Sequence, residues 1–225
     1  MIDITSLFKV TYGLYIVCSG NETKGNGYIS NTFFQVTSEP PKFALCCNKN
    51  NFTSEIIEKH GFFSVSVLHQ KANSEIFGRF GYKSGRDFNK MEGMLIKYGI
   101  SGIPIVLNES IAYLECKVVQ KFDVGTHWLF IGELIDAQVL DETNDPMTYA
   151  YFHQVRKGVA PKNAPTYIDQ AKLATKVKSV KLEKFKCTIC GHIYDENKEK
   201  IKFASLAANW KCPICGADKK EFIVI

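Results

Sequence analysis

The chain has 225 residues, 45% of them apolar, and its 28 basic and 23 acidic side chains give a net charge of +5. This length fits one large domain, or a medium domain with a small one attached, and the plentiful Leu, Ile, Val and Phe exclude disorder over most of it. No apolar run approaches the roughly 20 residues that cross a bilayer, and the first residues lack a basic stretch followed by an apolar one, so we expect a soluble, cytoplasmic protein.

The N-terminal part of the chain has the texture of short β-strands. Runs rich in Val, Ile, Phe and Tyr alternate with Gly, Asn and Pro, which is typical of strands and the turns between them. They predict strands near residues 12–18, 27–36, 42–48, 62–68, 111–120 and 127–140. Strands spaced this closely leave no room for a helix between each pair, so the pattern favours an antiparallel β-barrel over a parallel sheet. The predicted fold class is mostly β with a few helices.

Two helices are predicted to interrupt these strands. Thr53 is the predicted N-cap of a helix over Ser54–Lys59, and Asn73 is the predicted N-cap of a helix over Ser74–Phe80. In each case a glycine follows the last helical residue, which is the residue type that most often ends a helix.

Charge is unevenly distributed along the chain. Residues 1–155 carry 13 basic and 16 acidic side chains, residues 156–180 carry 6 and 1, and residues 181–225 carry 9 and 6. The basic middle segment, rich in proline and poor in large apolar residues, is typical of a solvated linker, with a short helix predicted near Tyr167–Ala174. A docking surface for an acidic partner is a second interpretation, and nucleic-acid binding is disfavoured because no aromatic residues interleave with the lysines. We therefore predict a domain over 1–155, a linker over 156–180 and a small domain over 181–225.

Four of the eight cysteines form a metal-site pattern. They make two Cys-x-x-Cys pairs, Cys187 with Cys190 and Cys212 with Cys215, each followed by a glycine. Four thiolates so arranged form a tetrahedral site that selects zinc or iron. The glycine tolerates the positive φ that turns the backbone N–H groups towards the sulfurs, where they tune the potential of the centre. The other cysteines lie in apolar runs and are expected to pack as reduced thiols: Cys18, Cys46, Cys47 and Cys116.

The residues around these pairs resemble the rubredoxin family along nearly the whole small domain. The matching aromatic positions are Phe185, Tyr194, Trp210 and Phe222, which correspond to the small core of that family. The resemblance implies one iron that cycles between Fe(III) and Fe(II) on the four cysteines. The segment between the pairs is shorter than in free-standing rubredoxins, and the lysines depart from their usual acidic surface. A structural zinc ribbon is the alternative interpretation, because it uses the same ligands.

Polar residues on the turns of the first domain fit an anionic ligand. Hydroxyls, amides and the cations Lys49 and Arg86 lie near strand ends and near the start of a helix, which are the groups that a phosphate needs. A solvated surface is the plain alternative for each of them. No phosphate-binding P-loop, paired-histidine zinc helix or serine-hydrolase motif is present in the sequence.

Several separated motifs in the same domain resemble the flavin reductase-like, FMN-binding split-barrel family, with the greatest similarity to flavoredoxin-type members. They are Asn26–Pro41, Asn48-Lys49, Phe62–Leu68, Ser84–Asp87, Gly125–His127 and Gly132-Glu133, and the resemblance covers residues 3–167. It implies that Asn31, Thr32 and Thr37 lie against the flavin ring or ribityl chain. It also implies that the phosphate end is bound by Asn48, Lys49, Thr53, Ser84 and Arg86. His127 matches a histidine beside the flavin in that family and is the predicted catalytic residue, although a structural histidine fits equally well.

The two domains together resemble the high-molecular-weight rubredoxins of anaerobes. The resemblance implies electron flow from NAD(P)H through FMN to Fe(SCys)4 and on to a redox partner such as a flavodiiron oxygen or nitric oxide reductase. It also implies a homodimer with flavin at the subunit interface. Two alternatives remain: an electron carrier that another protein reduces, without a nicotinamide site, and a flavin reductase with a structural zinc ribbon.

Overall fold

A computed structural model gives the fold of residues 3–158, 160–168, 183–199 and 201–225. The chain divides into two compact units, Met1–Leu173 and Ala174–Ile225. Residues 169–182 lie outside the described residues, and they include part of the predicted linker over 156–180 and most of the short helix predicted near Tyr167–Ala174. The predicted domain boundaries therefore stay a prediction. Within the described residues, every helix is too short or too polar to cross a bilayer.

The first unit is built on an antiparallel sheet of seven strands. In chain order the strands described in this unit are β1 (Tyr15–Ser19), β2 (Asn26–Ser30), β3 (Phe33–Ser38), β4 (Pro41–Asn48), β5 (Phe62–Leu68), β6 (Ile96–Tyr98), β7 (Pro104–Val106), β8 (Ser110–Asp123) and β9 (His127–Val139). The order in the main sheet is β2-β1-β5-β8-β9-β4-β3, and β6 with β7 forms a separate hairpin. The predicted mostly β fold class with an antiparallel barrel is confirmed.

One predicted strand is wrong in a way that matters for function. The run over residues 27–36 forms two strands, β2 and β3, because the chain breaks at Asn31 and Thr32. These two strands are the opposite edges of the sheet, so the dipeptide crosses from one edge to the other. A barrel with such a break is split there, and polar side chains sit at the split.

The sheet buries apolar residues on both faces. Val17 of β1 belongs to one core with Phe63 and Phe130, whereas its neighbours Ile16 and Cys18 belong to a second core. Strand residues alternate between faces, so a strand buried on both sides needs a continuous apolar run. The sequence of β1, Tyr-Ile-Val-Cys-Ser, is such a run. None of the eight cysteines forms a disulfide bond, and three of those in the first unit are fully buried.

The first predicted helix is present with a different cap. Helix α1 (Phe52–His60) begins after Asn51, whose side chain accepts a hydrogen bond from the Thr53 N–H at 3.0 Å. Thr53 as the N-cap was therefore wrong, because Asn51 already satisfies that free donor. The helix ends at His60, one residue beyond the predicted end, and the glycine predicted to follow it is its C-cap: Gly61 has φ 72° and its N–H bonds the carbonyl of Ile57.

The second predicted helix is shorter than expected. Asn73 caps α2 (Ser74–Phe77) as predicted, but the chain then continues as a π-helical turn over Gly78–Tyr82, so the helix does not run on to Phe80. A third helix, α3 (Tyr149–Gln154), was not predicted; Thr148 caps it. The π-helical turn and α3 both border the cavity that is described below.

The second unit has a three-stranded antiparallel sheet and an aromatic core. Its strands are β10 (Lys184–Cys187), β11 (Ile193–Asp195) and β12 (Phe222–Val224), in the order β11-β10-β12. The predicted core aromatic residues Tyr194 and Phe222 are buried. Phe203, which was not singled out, stacks on Phe185 with ring centroids 4.2 Å apart and touches the other core rings.

Candidate functional sites: a cavity at the barrel split and a four-cysteine centre

The first unit contains a cavity of about 460 Å³ beside the split of the barrel. Its walls are the end of β2, the turn from β4 into α1, the segment 80–85, helix α3 and the segment 160–165. This volume lies within the roughly 300–1,000 Å³ that small-molecule and cofactor sites occupy. Apolar side chains such as Phe77 and Phe152 line part of it, and amides and cations line the rest.

One end of the cavity is built from asparagines at the start of α1. Asn48, Asn50 and Asn51 line the wall with the first helical residue, Phe52. The positive end of the α1 dipole at this position favours a negatively charged ligand, although the N–H groups of Thr53 and Ser54 already bond Asn51. Thr53 lies behind this wall: it is fully buried and accepts a hydrogen bond from the Asn26 side chain at 2.9 Å.

The segment that faces this end brings a cation and a hydroxyl. Lys83 and Ser84 line the cavity and are exposed. Gly85 follows them, and a β-carbon there would lie 2.1 Å from the Asn26 Oδ1 atom. Only glycine permits this close approach, because Asn26 is itself buried and bonded to Thr53. The cavity thus has one end with anion-binding groups on two sides.

A chain of hydrogen bonds lies at the split itself. The Asn31 amide donates to the Thr166 hydroxyl at 2.6 Å, and that hydroxyl also bonds the Tyr149 hydroxyl at 2.7 Å. The Thr32 hydroxyl donates to the Asn31 carbonyl oxygen at 3.0 Å. Burial raises the pKa of Tyr149, so its hydroxyl stays protonated at neutral pH and can act as a donor.

The residues next to Thr166 form a wall of the cavity, although the sequence predicted a solvated linker there. Residues 160–165 line the cavity, and upstream Arg156 donates to the carbonyls of Gln70 and Ala72. The carbonyl of Asn163 lies 3.3 Å from the His127 Nε2 atom. We call residues 160–168 the strap. Because Thr166 and Asn163 contact the barrel, this part of the basic segment belongs to the first unit.

Thr166→Val is expected to loosen the strap and weaken flavin binding. Valine keeps the shape of threonine but loses two hydrogen bonds, each of which contributes about 0.5 to 1.5 kcal/mol. Limited proteolysis should cut the strap faster in the variant than in wild type, and equilibrium titration should show a several-fold weaker affinity for the flavin. Thr143→Val is the control, because it removes a hydroxyl that bonds Asp141 away from the cavity. If the two variants cannot be distinguished, the strap does not help to form the site.

Two buried hydroxyls on the cavity wall, Ser30 Oγ and Tyr28 OH, make no well-formed hydrogen bond within the described chain, although the two side chains lie close enough to interact with each other. Buried polar groups are almost always paired, and an unpaired one costs about 1–3 kcal/mol. A flavin offers carbonyl oxygens, ring nitrogens and ribityl hydroxyls, so these atoms and the asparagines fit such a ligand. Cys46 also lines the cavity, but burial raises the pKa of its thiol. The thiol therefore stays protonated and unreactive.

The predicted flavin residues divide into two groups in the structure. Asn31, Asn48 and Ser84 line the cavity. Thr32 bonds Asn31, and Thr53 donates its N–H to Asn51, another residue of the lining. The other predicted residues have protein partners outside the cavity lining. Thr37 Oγ1 donates to the carbonyl of Pro40, Lys49 pairs with Asp123 at 2.6 Å, and Arg86 pairs with Glu55.

His127 lies at the start of β9 and contacts the strap rather than the cavity lining. Its Nδ1 atom is 2.8 Å from the Thr126 hydroxyl. Its predicted catalytic role stays a prediction. The cavity residues that sequence reasoning missed include Tyr28, Lys83, Lys90 and Tyr149.

The four-cysteine centre of the second unit has the geometry of a tetrahedral metal site. The four sulfurs lie within 4.8 Å of one another. Cys187 and Cys215 are 3.8 Å apart, and Cys190 and Cys212 are 3.7 Å apart. A metal bound to sulfur at about 2.3 Å in a regular tetrahedron separates its sulfurs by about 3.8 Å. The residues present therefore fit one thiolate-bound metal ion.

The two halves of this centre repeat the same backbone pattern. Gly191 and Gly216 have φ 79° and 73°, as predicted, and each donates its N–H to the carbonyl of the first cysteine of its pair at 2.9 Å. The N–H groups of His192 and Ala217 hydrogen-bond Cys190 and Cys215. Donors of this kind stabilise negative charge on the sulfurs and tune the potential of a redox metal. Cys187 and Cys212 are buried, whereas Cys190 and Cys215 are exposed, so one side of the centre lies at the surface of the second unit.

Removing the metal is expected to unfold the second unit and leave the first intact. The core of the second unit holds few side chains, and units of this size rarely fold without a bound metal ion or disulfide bonds. After extraction by a chelator at mildly acidic pH, hydrogen exchange should show lost protection over 183–225 and retained protection in β4, β5 and β9. Protection that persists over 183–225 in metal-free protein would show that the centre has no structural role.

Comparison with known proteins places both units in families. Residues 7–159 match the model of the flavin reductase like domain, and residues 184–222 match that of rubredoxin. The chain is 41% identical to a high molecular weight rubredoxin of Moorella thermoacetica, over 98% of each chain. It is 42% identical to a ferric-chelate reductase (NAD(P)H) of Archaeoglobus fulgidus, over 74% of this chain and 98% of that one.

A solved structure supports the fold of the first unit. The crystal structure of flavoredoxin from Methanosarcina acetivorans superposes with a TM-score of 0.52 and 26% identity, over 57% of this chain and 69% of that one. The alignment with the Archaeoglobus relative spans 167 residues and 98% of that protein.

Proposed function

Because the chain belongs to the flavin reductase-like family and carries a rubredoxin domain, we propose that it takes electrons from NAD(P)H into FMN and passes them through iron to an external acceptor. The chain is an oxidoreductase, and a flavin-binding unit joined to a four-cysteine unit is its defining feature. The single observation that carries the proposal is the presence, on one chain, of a cavity fit for a flavin and a sulfur tetrahedron fit for one metal ion.

The cavity residues have separable roles in this proposal. Asn31, Tyr149 and the strap would hold the flavin ring in place and exclude water from one side of it. The start of α1 with Lys83 and Ser84 would bind the phosphate. A single cluster of anion-binding groups at one end supports FMN over FAD. Mass analysis of the flavin released from purified protein distinguishes the two.

Iron rather than zinc is the proposed metal of the second unit. The match to the rubredoxin family supports a redox centre, and the N–H groups that hydrogen-bond the sulfurs would tune the potential of an iron bound there. A flavin accepts a hydride and can release the two electrons singly, whereas a rubredoxin-type iron takes one at a time. The covalent tether raises the effective concentration of acceptor at the donor to about the millimolar range.

We also propose a homodimer that covers the outer face of β3, β4 and β9. Phe34 on the edge strand β3 is 52% exposed, and Phe122 at the end of β8 is 49% exposed. Phe34 of β3 pairs with Ala44 of β4. Leu129 of β9 pairs with Phe122 of β8 on one side and with Cys46 of β4 on the other. This apolar face thus includes Cys46 of the cavity wall, and a second subunit on it would help to close the flavin site. Light scattering should give the mass of a dimer.

Anaerobic titration of the purified protein with NADH and NADPH tests the proposed function. The proposal predicts that one of them bleaches the flavin absorbance on a catalytic timescale and that metal analysis finds about one iron per chain. Absence of bleaching with both nucleotides would favour a carrier that another protein reduces. A colourless, zinc-bound second unit would favour a flavin reductase with a structural ribbon. The final acceptor is proposed to be a flavodiiron oxygen or nitric oxide reductase, which adding that enzyme under air or nitric oxide would test.

A further inference from the structure

Helix α3 carries a histidine that the proposed function has not yet used. His153 lies four residues after Tyr149, so the two side chains occupy the same face of the helix. Their rings meet almost at right angles, with centroids 4.1 Å apart and an interplanar angle of 84°. Tyr12 also contacts the Tyr149 ring edge-on, with centroids 5.9 Å apart. Two neighbouring rings therefore restrict the orientation of Tyr149, which lines the cavity.

The imidazole of His153 also fixes the chain that follows α3. Its Nδ1 atom lies 2.6 Å from the carbonyl oxygen of Gly158. A carbonyl oxygen only accepts hydrogen bonds, so Nδ1 carries a proton and donates it. The Gly158 N–H in turn donates to the Phe152 carbonyl at 2.9 Å, and a β-carbon on Gly158 would lie 2.1 Å from the Phe152 ring. Gly158 is thus held closely against the end of α3.

The strap is attached at both ends to this one face of α3. His153 bonds Gly158 just before the strap, and the Tyr149 hydroxyl bonds Thr166 within it at 2.7 Å. Residues 160–165 lie between these two points and form a wall of the cavity. Fixing the ends of a loop removes most of its alternative conformations. The pair of contacts therefore holds the strap in place beside the cavity.

The two contacts of His153 together account for a histidine at this position. The amide of an asparagine can bond Gly158, and the ring of a phenylalanine can pack against Tyr149, but imidazole does both. It does so at a cost, because its buried Nε2 atom has no hydrogen-bond partner in the part of the chain that the structure describes. A side chain that only filled space would avoid this cost.

We propose that His153 is a positioning residue for the flavin: together with Tyr149 it holds the strap over the cavity and so keeps water away from the bound flavin. The inference deepens the proposed function and rests on it, because it requires a flavin in the cavity. His153 itself is not one of the described residues that line the cavity, so it acts through Tyr149 and the strap. Its loss should increase the access of solvent to the flavin as well as weaken flavin binding.

The test separates the two contacts of His153. His153→Asn keeps an N–H donor near the position of Nδ1 but removes the ring, His153→Phe keeps a ring but removes the donor, and His153→Ala removes both. For each protein we would measure the dissociation constant of FMN, the quenching of bound-flavin fluorescence by acrylamide, and the rate at which a protease cuts the strap. His60→Ala, on the exposed end of α1, is the matched control.

The variants should fall in a defined order. Loss of one contact weakens FMN binding by about 2- to 12-fold, and His153→Ala weakens it more than either of the other two variants. Acrylamide quenching and cleavage of the strap should increase in the same order. Adding Thr166→Val to His153→Ala should weaken binding by less than the product of the two separate effects, because both changes release the same loop. A histidine that only stabilised α3 would lower the melting temperature without these changes.

Two outcomes overturn the inference. One is a folded His153→Ala protein whose FMN affinity, acrylamide quenching and strap cleavage equal those of the His60→Ala control. The other applies if His153→Ala does not fold: NMR of wild type with isotope-labelled histidine should then show His153 with its proton on Nδ1 and ring signals that shift when FMN binds. Ring signals that do not respond to FMN would overturn it. Wild type that binds no flavin contradicts the proposed function instead.

Discussion

Cys212→Ser is expected to abolish electron delivery to an external acceptor while flavin reduction by NAD(P)H continues. A serine oxygen is a much poorer ligand than a thiolate for Fe(II) and shifts the potential of the centre, and the buried Cys212 carries one corner of the sulfur tetrahedron. Loss of a hydrogen-bond partner of a metal ligand already lowers the metal affinity or activity of a site roughly 10- to 100-fold. Loss of a ligand should exceed that range, measured as turnover with a one-electron protein acceptor.

Two further variants define this experiment. Thr188→Ser is the control, because Thr188 lies between the two ligands of the first pair. Serine keeps the hydroxyl that donates to the Glu221 carbonyl, so the turnover of this variant should be close to that of wild type. Cys190→Ser should reproduce the effect of Cys212→Ser. A Cys212→Ser protein that also fails to reduce its flavin, although the first unit is folded and flavin-loaded, would contradict the proposed order of electron flow.

Asn31→Leu is expected to give the largest loss of flavin binding among single changes in the cavity. The side chain is buried at the split, donates to Thr166 and accepts from Thr32, so leucine removes both contacts and places apolar atoms against the ligand. An unsatisfied buried polar group costs about 1–3 kcal/mol, which corresponds to a loss of affinity of roughly 5- to 150-fold. Fluorescence titration of apoprotein with FMN measures it.

Asn144→Leu serves as the matched control for that variant. Its side-chain amide donates to Asp141 at 2.7 Å in a loop outside the cavity, so the same chemical change is made where no flavin is proposed. Its FMN affinity should equal that of wild type even if the protein is somewhat less stable. An Asn31→Leu protein that binds FMN as tightly as this control would place the flavin elsewhere.

The metal centre was predictable from sequence because its ligands are local. Two Cys-x-x-Cys pairs with their glycines fix the ligand set, the turn geometry and the N–H donors within six residues each, and the structure has all three. The strands of the barrel were predictable for a similar reason, since an apolar run of β-branched and aromatic residues determines its own conformation. The centre of the aromatic core, Phe203, was missed because it lies in a short turn between motifs.

The cavity was only partly predictable, because its walls come from distant parts of the chain. Asn31, Asn48 and Ser84 lie in motifs, but Lys90 has no pattern that distinguishes it from a surface lysine, and only the fold shows that it is buried. The strap was assigned to the linker on composition, since its prolines and lysines are typical of solvated chain. The hydrogen bond from Asn31 to Thr166 spans 135 residues, which no local pattern reveals.

Rapid mixing of the anaerobic, fully oxidised protein with NADH or NADPH is the most direct test of the central claim, that flavin and iron on one chain form a single path. The absorbance bands of both centres are followed at protein concentrations that span about tenfold. The account predicts that the flavin is reduced first and that the iron follows at a rate independent of protein concentration, because the tether makes the transfer intramolecular. Iron that stays oxidised beside a reduced flavin, or that is reduced at a rate proportional to protein concentration, would contradict it.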